Sequence, residues 1–283
     1  MTGPPSADPK PPPAVLAAYG VTGPPMRLTG GQGTSFRAGD LVLKPHTDPE
    51  LAQWWFNVTA TIDTDDIVVP PPIPDRHGRL AVNSWSATRW VPGDPVDPSD
   101  TTTEPWLAVL NAARTLHQVL AGQLRPEFLS RRHDRWAVAD RTAWGEGSQP
   151  LGPRTRELIA VATPLLIDEQ LPAQLIHGDL SGNVLLDPTG PPAVIDIAPY
   201  WRPALYADAI VVIDALLWWD TDPTLIDVAH PTGIDDEIWI SLLTRAWMFR
   251  LLAYDESTRT PSPVVTHELD KYRNVLTHVR SPR

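Results

Sequence analysis

The segment from residue 175 to residue 203 constrains the fold of this chain more than any other part of the sequence. It contains three short apolar stretches, LIHGD, NVLLD and PAVIDI, each bounded by polar residues at a turn. Such stretches are typical of buried strands. We expect their ends to bring Asp179 and Asp196 close to the amide of Asn183. Carboxylate and amide oxygens are the ligands that Mg²⁺ takes, so the segment predicts a magnesium site.

The same groups suit phosphoryl transfer from ATP, which needs metal ligands and a group that holds the attacking hydroxyl and accepts its proton. Taken alone, Asp179 would be interpreted as a turn carboxylate that caps local N–H groups. Its combination with Asn183 and Asp196 favours catalysis instead. His177 is expected to be a packed, hydrogen-bonded loop histidine rather than a general base.

A glycine-rich turn precedes a strand lysine near the N-terminus. In GGQGTSFRAGDLVLK, Gly31 and Gly33 stand just before Ser35, and the strand LVLK ends at Lys44. Glycines allow backbone N–H groups to approach phosphates closely, so this turn predicts a nucleotide-phosphate site. The alternative for Lys44 is an exposed lysine at the end of a strand.

The residues after this turn predict a small antiparallel sheet with one helix. Asp48 with Pro49 is typical of a helix start. Further extended pieces are expected around 67–69 and 80–90, where they would complete the sheet. Charged and proline-rich residues then lead to a helical pattern, in which apolar residues recur at the spacing of one helix face from Pro105 onwards.

We therefore predict an α+β fold with three parts. Residues 1–13 are a flexible proline-rich arm, 14–91 an N-terminal nucleotide-binding lobe, and 92–283 a larger, mainly α-helical catalytic and substrate-binding lobe. Two long helices of the second lobe are expected at 206–219 and 235–254, and a last one near 267–278.

Composition excludes several classes of function. The chain has no cysteine, which excludes disulfides and thiolate metal sites and is typical of a reducing cytoplasm. The N-terminal residues show no signal-peptide pattern, and no apolar stretch approaches the roughly 20 residues of a membrane span. A net charge of -11 argues against nucleic-acid or anionic-membrane partners. We therefore predict a cytoplasmic protein with a small-molecule partner and an unknown oligomeric state.

The motif HGDLSGN followed by VID resembles the catalytic loop and metal-binding segment of the aminoglycoside phosphotransferase and choline kinase superfamily, which is itself similar to protein kinases. The motifs GGQG, VLKP and IDIAPYWRP look like an actinobacterial branch of that superfamily, and membership of that branch supplies no substrate. The resemblance implies a bilobal, protein-kinase-like fold and a kinase that uses ATP and Mg²⁺ to phosphorylate a small-molecule hydroxyl.

The resemblance also implies residue roles. Asp179 would be the catalytic base, Asn183 and Asp196 would hold Mg²⁺, and Lys44 would grip the α- and β-phosphates of ATP. In protein kinases a helix carboxylate pairs with this lysine, and Glu50, six positions later, is the nearest candidate.

Asp208 lies where related families place an acidic residue that braces the catalytic loop. Its alternative is a carboxylate in the first turn of a helix, where the helix dipole favours it. His117 is expected to be a buried structural histidine. Trp218 and Trp219 are interpreted as core residues, with an acceptor-binding wall beside Asp220 as the alternative.

The catalytic loop departs from the superfamily pattern. The metal-binding Asn commonly follows the catalytic Asp by five residues, whereas Asn183 follows Asp179 by four. Gly182 can absorb the difference by adopting dihedrals that other residues avoid. The alternative is that the shorter loop displaces Asn183 from the metal and leaves Asp196 to hold it with waters and phosphates. The alternative function is a catalytically degenerate nucleotide-binding regulator. A third interpretation, a metal-dependent hydrolase with HGD residues as ligands, would need further His or Asp ligands. An amino sugar or another cationic polyol is the expected acceptor, and the sequence leaves GTP open as an alternative to ATP.

Overall fold

The structure is a computed structural model that describes residues 10–28, 33–45, 47–168, 170–255 and 263–280. Its α-helices are α1 (Pro13–Ala18), α2 (Pro49–Thr59), α3 (Glu104–Leu120), α4 (Phe128–Arg131), α5 (Arg135–Ala143), α6 (Pro153–Ala162), α7 (Ala204–Trp218), α8 (Leu225–Val228), α9 (Asp236–Ala253) and α10 (Pro263–Arg280). Its strands are β1 (Met26–Arg27), β2 (Phe36–Ala38), β3 (Leu41–Lys44), β4 (Ser86–Arg89), β5 (Ala173–His177), β6 (Val184–Leu185), β7 (Ala193–Val194) and β8 (Pro199–Pro203).

The chain divides into two compact units. The first unit comprises Met1–Pro95 and Gly182–Asp196, and the second comprises Val96–Ser181 and Ile197–Arg283. The hairpin of β6 and β7 thus belongs to the unit that holds β1 to β4. The domain boundaries expected after residues 13 and 91 stay a prediction.

A four-stranded antiparallel sheet in the order β1-β2-β3-β4 organises the first unit. Phe36, Leu43 and Ala87 form its core with Val15 of α1. Helix α2 starts where the sequence predicted, because the carboxylate of Asp48 accepts a hydrogen bond of 2.9 Å from the second residue of the helix. The predicted small sheet with one helix is confirmed.

The segment 67–69 differs from the prediction. Val68 makes an isolated parallel bridge to Ala193 of β7 instead of joining the antiparallel sheet. Its carbonyl accepts a 2.8 Å hydrogen bond from the backbone N–H of Val194. The prolines at 70–72 follow at once and have no N–H to donate, so the pairing cannot continue as a longer strand.

Buried helices form the second unit. Helix α7 is buried at every residue from Tyr206 to Leu217, and α9 is buried over most of its length. The indole N–H of Trp247 on α9 donates to the carbonyl of Tyr272 on α10 at 2.9 Å. Strands β5 and β8 pair antiparallel beside the helices, with His177 opposite Pro199. Of the helices in the described part of the chain, none has the length and apolar character to cross a membrane.

Candidate active site

The glycine-rich turn is described only from Gly33 onwards, and Gly31 lies outside the described residues. Gly33 has φ +67°, and an added Cβ would meet no atom within 4 Å. The carbonyl of the half-buried Ser35 accepts a 2.9 Å hydrogen bond from the N–H of Leu28, which closes the hairpin. The backbone at Gly33 is therefore strongly curved and open on its outer side.

Lys44 forms an ion pair with Asp196. Lys44 ends β3, opposite Ser86 of β4, and Asp196 lies two residues after the end of β7. The two side chains are 38% and 43% exposed. An ion pair so accessible to water contributes about 0–1 kcal/mol, so a phosphate or a metal ion can replace it at little cost. Glu50, the sequence-based candidate for the partner of Lys44, is exposed in the first turn of α2.

Asn183 and Asp196 stand at the same end of the β6–β7 hairpin. Val184 pairs with Val194, and the carbonyl of Asn183 accepts a 2.9 Å hydrogen bond from the N–H of Ile195. The register therefore sets Asn183 beside Asp196. Asp196 has φ +60°, a left-handed conformation that Asp tolerates better than most residues.

Gly182 adopts the positive φ that the sequence predicted for the short loop. Its φ is +85°, and no atom lies within 4 Å of where its Cβ would be. The loop thus turns sharply into Asn183 through a conformation that favours glycine. Of the three predicted motif residues, the first unit brings together Asn183 and Asp196, whereas Asp179 belongs to the second unit.

Two histidines hold the backbone around Asp179. The N–H of His177 donates to Nε2 of His117 at 3.1 Å, and the N–H of Asp179 donates to Nδ1 of His177 at 3.1 Å. Burial, with His177 as a further cause, lowers the pKa of His117 to about 3, so its ring is neutral and can accept. The sequence-based expectation of a buried, structural His117 agrees with this contact.

Gly178 lies against the ring of Tyr200 on β8. A Cβ at this position would overlap the ring, with Cε2 only 2.6 Å away. The N–H of Gly178 donates to the carbonyl of Ala198 at 2.8 Å. The HGD sequence therefore needs glycine for close approach to β8.

Arg250 is a site residue that sequence reasoning missed. Its Nη2 donates to Oδ1 of Asp179 at 3.0 Å and to Oδ2 of Asp214 at 2.6 Å, and its Nε donates to Oδ1 of Asp214 at 2.7 Å. The side chains of Arg250 and Asp214 are 2% and 0% exposed, whereas that of Asp179 is 49% exposed. Arg250, in a buried ion pair between α9 and α7, therefore also binds a carboxylate that solvent can reach.

Burial and the ion pair act in opposite directions on the pKa values of Asp214 and Arg250. Burial raises the pKa of Asp214 to about 6, although Arg250 acts in the opposite direction. Burial also acts to lower the pKa of Arg250, but Asp214 and Asp179 outweigh it and raise that pKa above its ordinary value. Each partner thus shifts the pKa of the other in the direction that favours the ion pair, against the effect of burial. The sequence signals were Asp214 inside an apolar helix and Arg250 among the apolar residues 246–253.

Asp208 does not contact the catalytic loop through any of its hydrogen bonds described here. It accepts a 2.7 Å hydrogen bond from Nε of Arg114 on α3, and Arg114 also donates to the carbonyl of Ala229. Burial raises the pKa of Asp208 to about 6, with Arg114 opposing. Asp208 therefore links α7 to α3.

The two adjacent tryptophans have different surroundings. Trp219 donates from Nε1 to the carbonyl of Val96 at 3.2 Å and packs edge-on against Trp106, so it is part of the core. Trp218 is 41% exposed and lies 5.4 Å from the guanidinium of Arg250. Asp220 follows and is paired with Lys271 at 3.1 Å. Of these two tryptophans, the exposed Trp218 is the one that contacts Arg250, the residue that donates to Asp179.

A family model decides the relationship of this chain to known proteins. The model of the phosphotransferase enzyme family matches residues 28–211, which is well over half of the chain. The chain belongs to the phosphotransferase enzyme family. The expected enzyme class, a phosphotransferase, is confirmed.

Solved structures share the fold of this phosphotransferase over nearly its whole length. An aminoglycoside phosphotransferase from Alicyclobacillus acidocaldarius has a TM-score of 0.66 at 14% identity, with 98% of this chain and 96% of that chain covered. A choline/ethanolamine kinase family protein from Mesorhizobium loti has a TM-score of 0.59 at 17% identity, with coverages of 94% and 91%. Spectinomycin phosphotransferase in complex with ADP and spectinomycin has a TM-score of 0.58 at 14% identity, with coverages of 94% and 95%.

These identities are low, so the solved structures establish the fold and leave the substrate of this chain open. The predicted kinase-like α+β fold and the resemblance to aminoglycoside phosphotransferases and choline kinases are confirmed. No curated protein sequence matches the chain.

The residues of the β6–β7 hairpin fit a magnesium ion. One carboxylate and one amide are hard oxygen donors, and Mg²⁺ is usually bound by one or two carboxylates together with waters and substrate phosphates. Within the described residues, no group of three or more His, Cys, Asp or Glu side chains forms an all-protein metal site. Waters and substrate phosphates would supply the remaining ligands of a magnesium ion bound here.

Proposed function

We propose that this phosphotransferase moves the γ-phosphoryl group of ATP to a hydroxyl of a small molecule, with Mg²⁺ as cofactor. The observation that best supports the proposal is the ion pair of Lys44 and Asp196. It holds a cation suited to nucleotide phosphates and a carboxylate suited to Mg²⁺ in one accessible place. Of the predicted parts, residues 14–91 would bind the nucleotide and residues 92–283 would supply the base and bind the acceptor.

Each residue has a distinct task in this proposal. Lys44 binds the α- and β-phosphates, and the open backbone at Gly33 and Ser35 approaches them from the glycine-rich turn. Asn183 and Asp196 hold Mg²⁺, which when bound offsets the negative charge of the phosphates. Asp179 orients the acceptor hydroxyl and takes its proton as the oxygen bonds to phosphorus. Glu50 remains a proposed nucleotide-site residue.

The acceptor proposed is an amino sugar or another cationic polyol. Trp218 offers an exposed indole near Asp179, and indole faces attract cations and sugar rings. The net charge of -11 favours a cation over an anion. The similar structures include aminoglycoside phosphotransferases, which supports this class without identifying the compound.

A transfer assay with γ-labelled ATP tests the proposal. Amino sugars, neutral polyols and anionic sugars are offered in parallel, each with and without Mg²⁺, and GTP replaces ATP in a matched set. We expect labelled product only with Mg²⁺ and chiefly from cationic acceptors. Transfer only to neutral or anionic acceptors would contradict the acceptor class. Tight MgATP binding with no transfer to any acceptor would favour the nucleotide-binding regulator.

A further inference from the structure

Arg250 and Asp214 form a buried ion pair. A contribution to the stability of the fold is a poor explanation for such a pair. Both side chains are almost fully buried, and two short hydrogen bonds of 2.6 and 2.7 Å join them. Removing two charges from water costs several kcal/mol each, and apolar residues of the same volume often serve stability equally well. Because stability is a poor explanation, the contact of the pair with an exposed residue indicates a role beyond holding α7 to α9.

The exposed residue that the pair contacts is Asp179. Nη2 of Arg250 lies 3.0 Å from Oδ1 of Asp179 and 3.4 Å from the carbonyl of Gly178. The guanidinium is a rigid planar fork, so the position of Asp214 on one edge fixes the direction of the N–H that faces Asp179. Asp179 thus receives a donor whose orientation is set by a residue 36 positions from Arg250 in the chain.

Aromatic rings restrict the guanidinium further. Its carbon lies 5.5 Å from the ring centre of Trp136, 5.4 Å from that of Trp218 and 4.8 Å from that of Phe249. These contacts leave the buried arginine little room to change rotamer. The donor to Asp179 is therefore held by packing as well as by charge.

Asp214 also balances charge. Without it, the buried guanidinium of Arg250 would lose the carboxylate that accepts its two shortest hydrogen bonds, at 2.6 and 2.7 Å. With it, the buried cation has an anionic partner of its own and still donates to Asp179. The 49% exposure of the Asp179 side chain leaves it accessible to an acceptor.

We propose that Arg250 and Asp214 are positioning residues for phosphoryl transfer: Arg250 fixes the carboxylate of Asp179, and Asp214 fixes and neutralises Arg250. This inference rests on the proposed function, in which Asp179 is the base. Neither residue belongs to the HGD motif at 177–179 or to the VID motif at 194–196.

The decisive variant replaces the pair as a unit. Arg250→Met with Asp214→Leu leaves no buried charge without a partner, so the fold is expected to survive. The matched control is Arg202→Met with Asp140→Leu. That pair of the same unit is also buried, with hydrogen bonds of 2.7 to 3.3 Å between its members, and neither residue is seen to bond to Asp179. Arg202 also pairs with Glu146, whose half-exposed carboxylate stays accessible to water when Arg202 is replaced.

We expect kcat of the Arg250/Asp214 double variant to fall by roughly 10²-fold, the typical cost of misplacing a catalytic group by about 1 Å. KM for ATP and the Kd of MgATP should stay within about twofold, because the nucleotide residues are unchanged. The control should keep kcat within about threefold of the native enzyme. Arg250→Lys keeps one cation but loses the fork, so its kcat should fall between those of the native enzyme and the double variant.

A high-resolution crystal structure of the double variant gives a second readout that does not require activity. We expect the Asp179 side chain to leave its single position or to occupy several. A double variant with kcat within threefold of the native value, or with Asp179 unmoved, would overturn the inference, as would an equal loss of kcat in the control. If the native protein transfers phosphate to no acceptor, the proposed function fails. The position of the Asp179 side chain in the crystal structure of the double variant then decides whether Arg250 and Asp214 position it.

Discussion

Lys44 at the end of β3 and Asp196 just after β7 form an ion pair in which more than a third of each side chain is exposed. Their contact joins the sheet of the first unit to the β6–β7 hairpin, which comes from a distant part of the sequence. Because an exposed pair contributes little to folding, its residues are available to a nucleotide and its metal ion.

Replacing Lys44 should weaken nucleotide binding without unfolding the protein. For Lys44→Met we expect the Kd of MgATP to rise by roughly tenfold, as about 1.4 kcal/mol of charge-assisted phosphate contact is lost. The free energy of unfolding should change by less than about 1 kcal/mol. Calorimetry and denaturant unfolding measure the two quantities. Lys271→Met is the control, since Lys271 pairs with the exposed Asp220; equal weakening in both variants would contradict the role of Lys44.

Asp196→Ala should abolish the effect of Mg²⁺ on nucleotide binding. The carboxylate is the only charged ligand that the chain supplies in the proposed metal site, so ATP affinity should become the same with and without Mg²⁺. Asp220→Ala is a matched control, because Asp220 is also an exposed aspartate with positive φ, at +48°. Titrations by calorimetry decide it, and an unchanged Mg²⁺ effect in Asp196→Ala would exclude the assignment.

Gly182 should tolerate Asn but not Val. A β-branched residue is strongly disfavoured at φ +85°, whereas Asn adopts left-handed conformations readily. Since an added side chain at residue 182 meets open space, the defect of Gly182→Val should come from the backbone alone. We expect Gly182→Val to lower kcat nearly as much as Asn183→Ala and Gly182→Asn to stay near the native value. Native activity in Gly182→Val would show that Asn183 does not need this turn.

His117 should make the protein less stable in mild acid. Its pKa is lowered to about 3 in the folded state by burial and by His177, against about 6.5 in the unfolded chain. Between these values only the unfolded state binds the proton, so the free energy of unfolding falls as pH drops below about 6.5. His117→Gln should remove up to about 1.4 kcal/mol of this fall per pH unit. Denaturant unfolding at pH 7 and pH 5 measures the free energy of unfolding of the native protein and of His117→Gln. An equal fall in both proteins between these pH values would contradict the role of His117.

The local backbone arrangement of the candidate site could be predicted from the sequence, whereas the roles of its residues stay predictions. Gly182, Asn183 and Asp196 follow one another along a short hairpin, so their order in the chain largely determines their arrangement. The helix starts were also predictable, because a cap such as Asp48 acts on its own next turn.

The cluster around Asp179 depends instead on tertiary contacts. Arg250 lies 71 positions after Asp179, and no local pattern connects the two residues. The sequence showed Asp214 and Arg250 as charged residues within apolar segments, and helix periodicity alone does not predict which residues they contact. The bridge of Val68 to Ala193 was missed for the same reason, since it joins residues that are distant in the chain.

The central claim, that Asp179 is the base of a phosphotransferase, is tested most directly by the turnover of Asp179→Asn. This variant keeps the shape of the side chain and one oxygen for Arg250 but loses the ability to take a proton. With γ-labelled ATP and the best acceptor of the native enzyme, we predict a kcat about 10²- to 10⁴-fold lower, at an unchanged Kd for MgATP. A kcat equal to that of the native enzyme would contradict the claim.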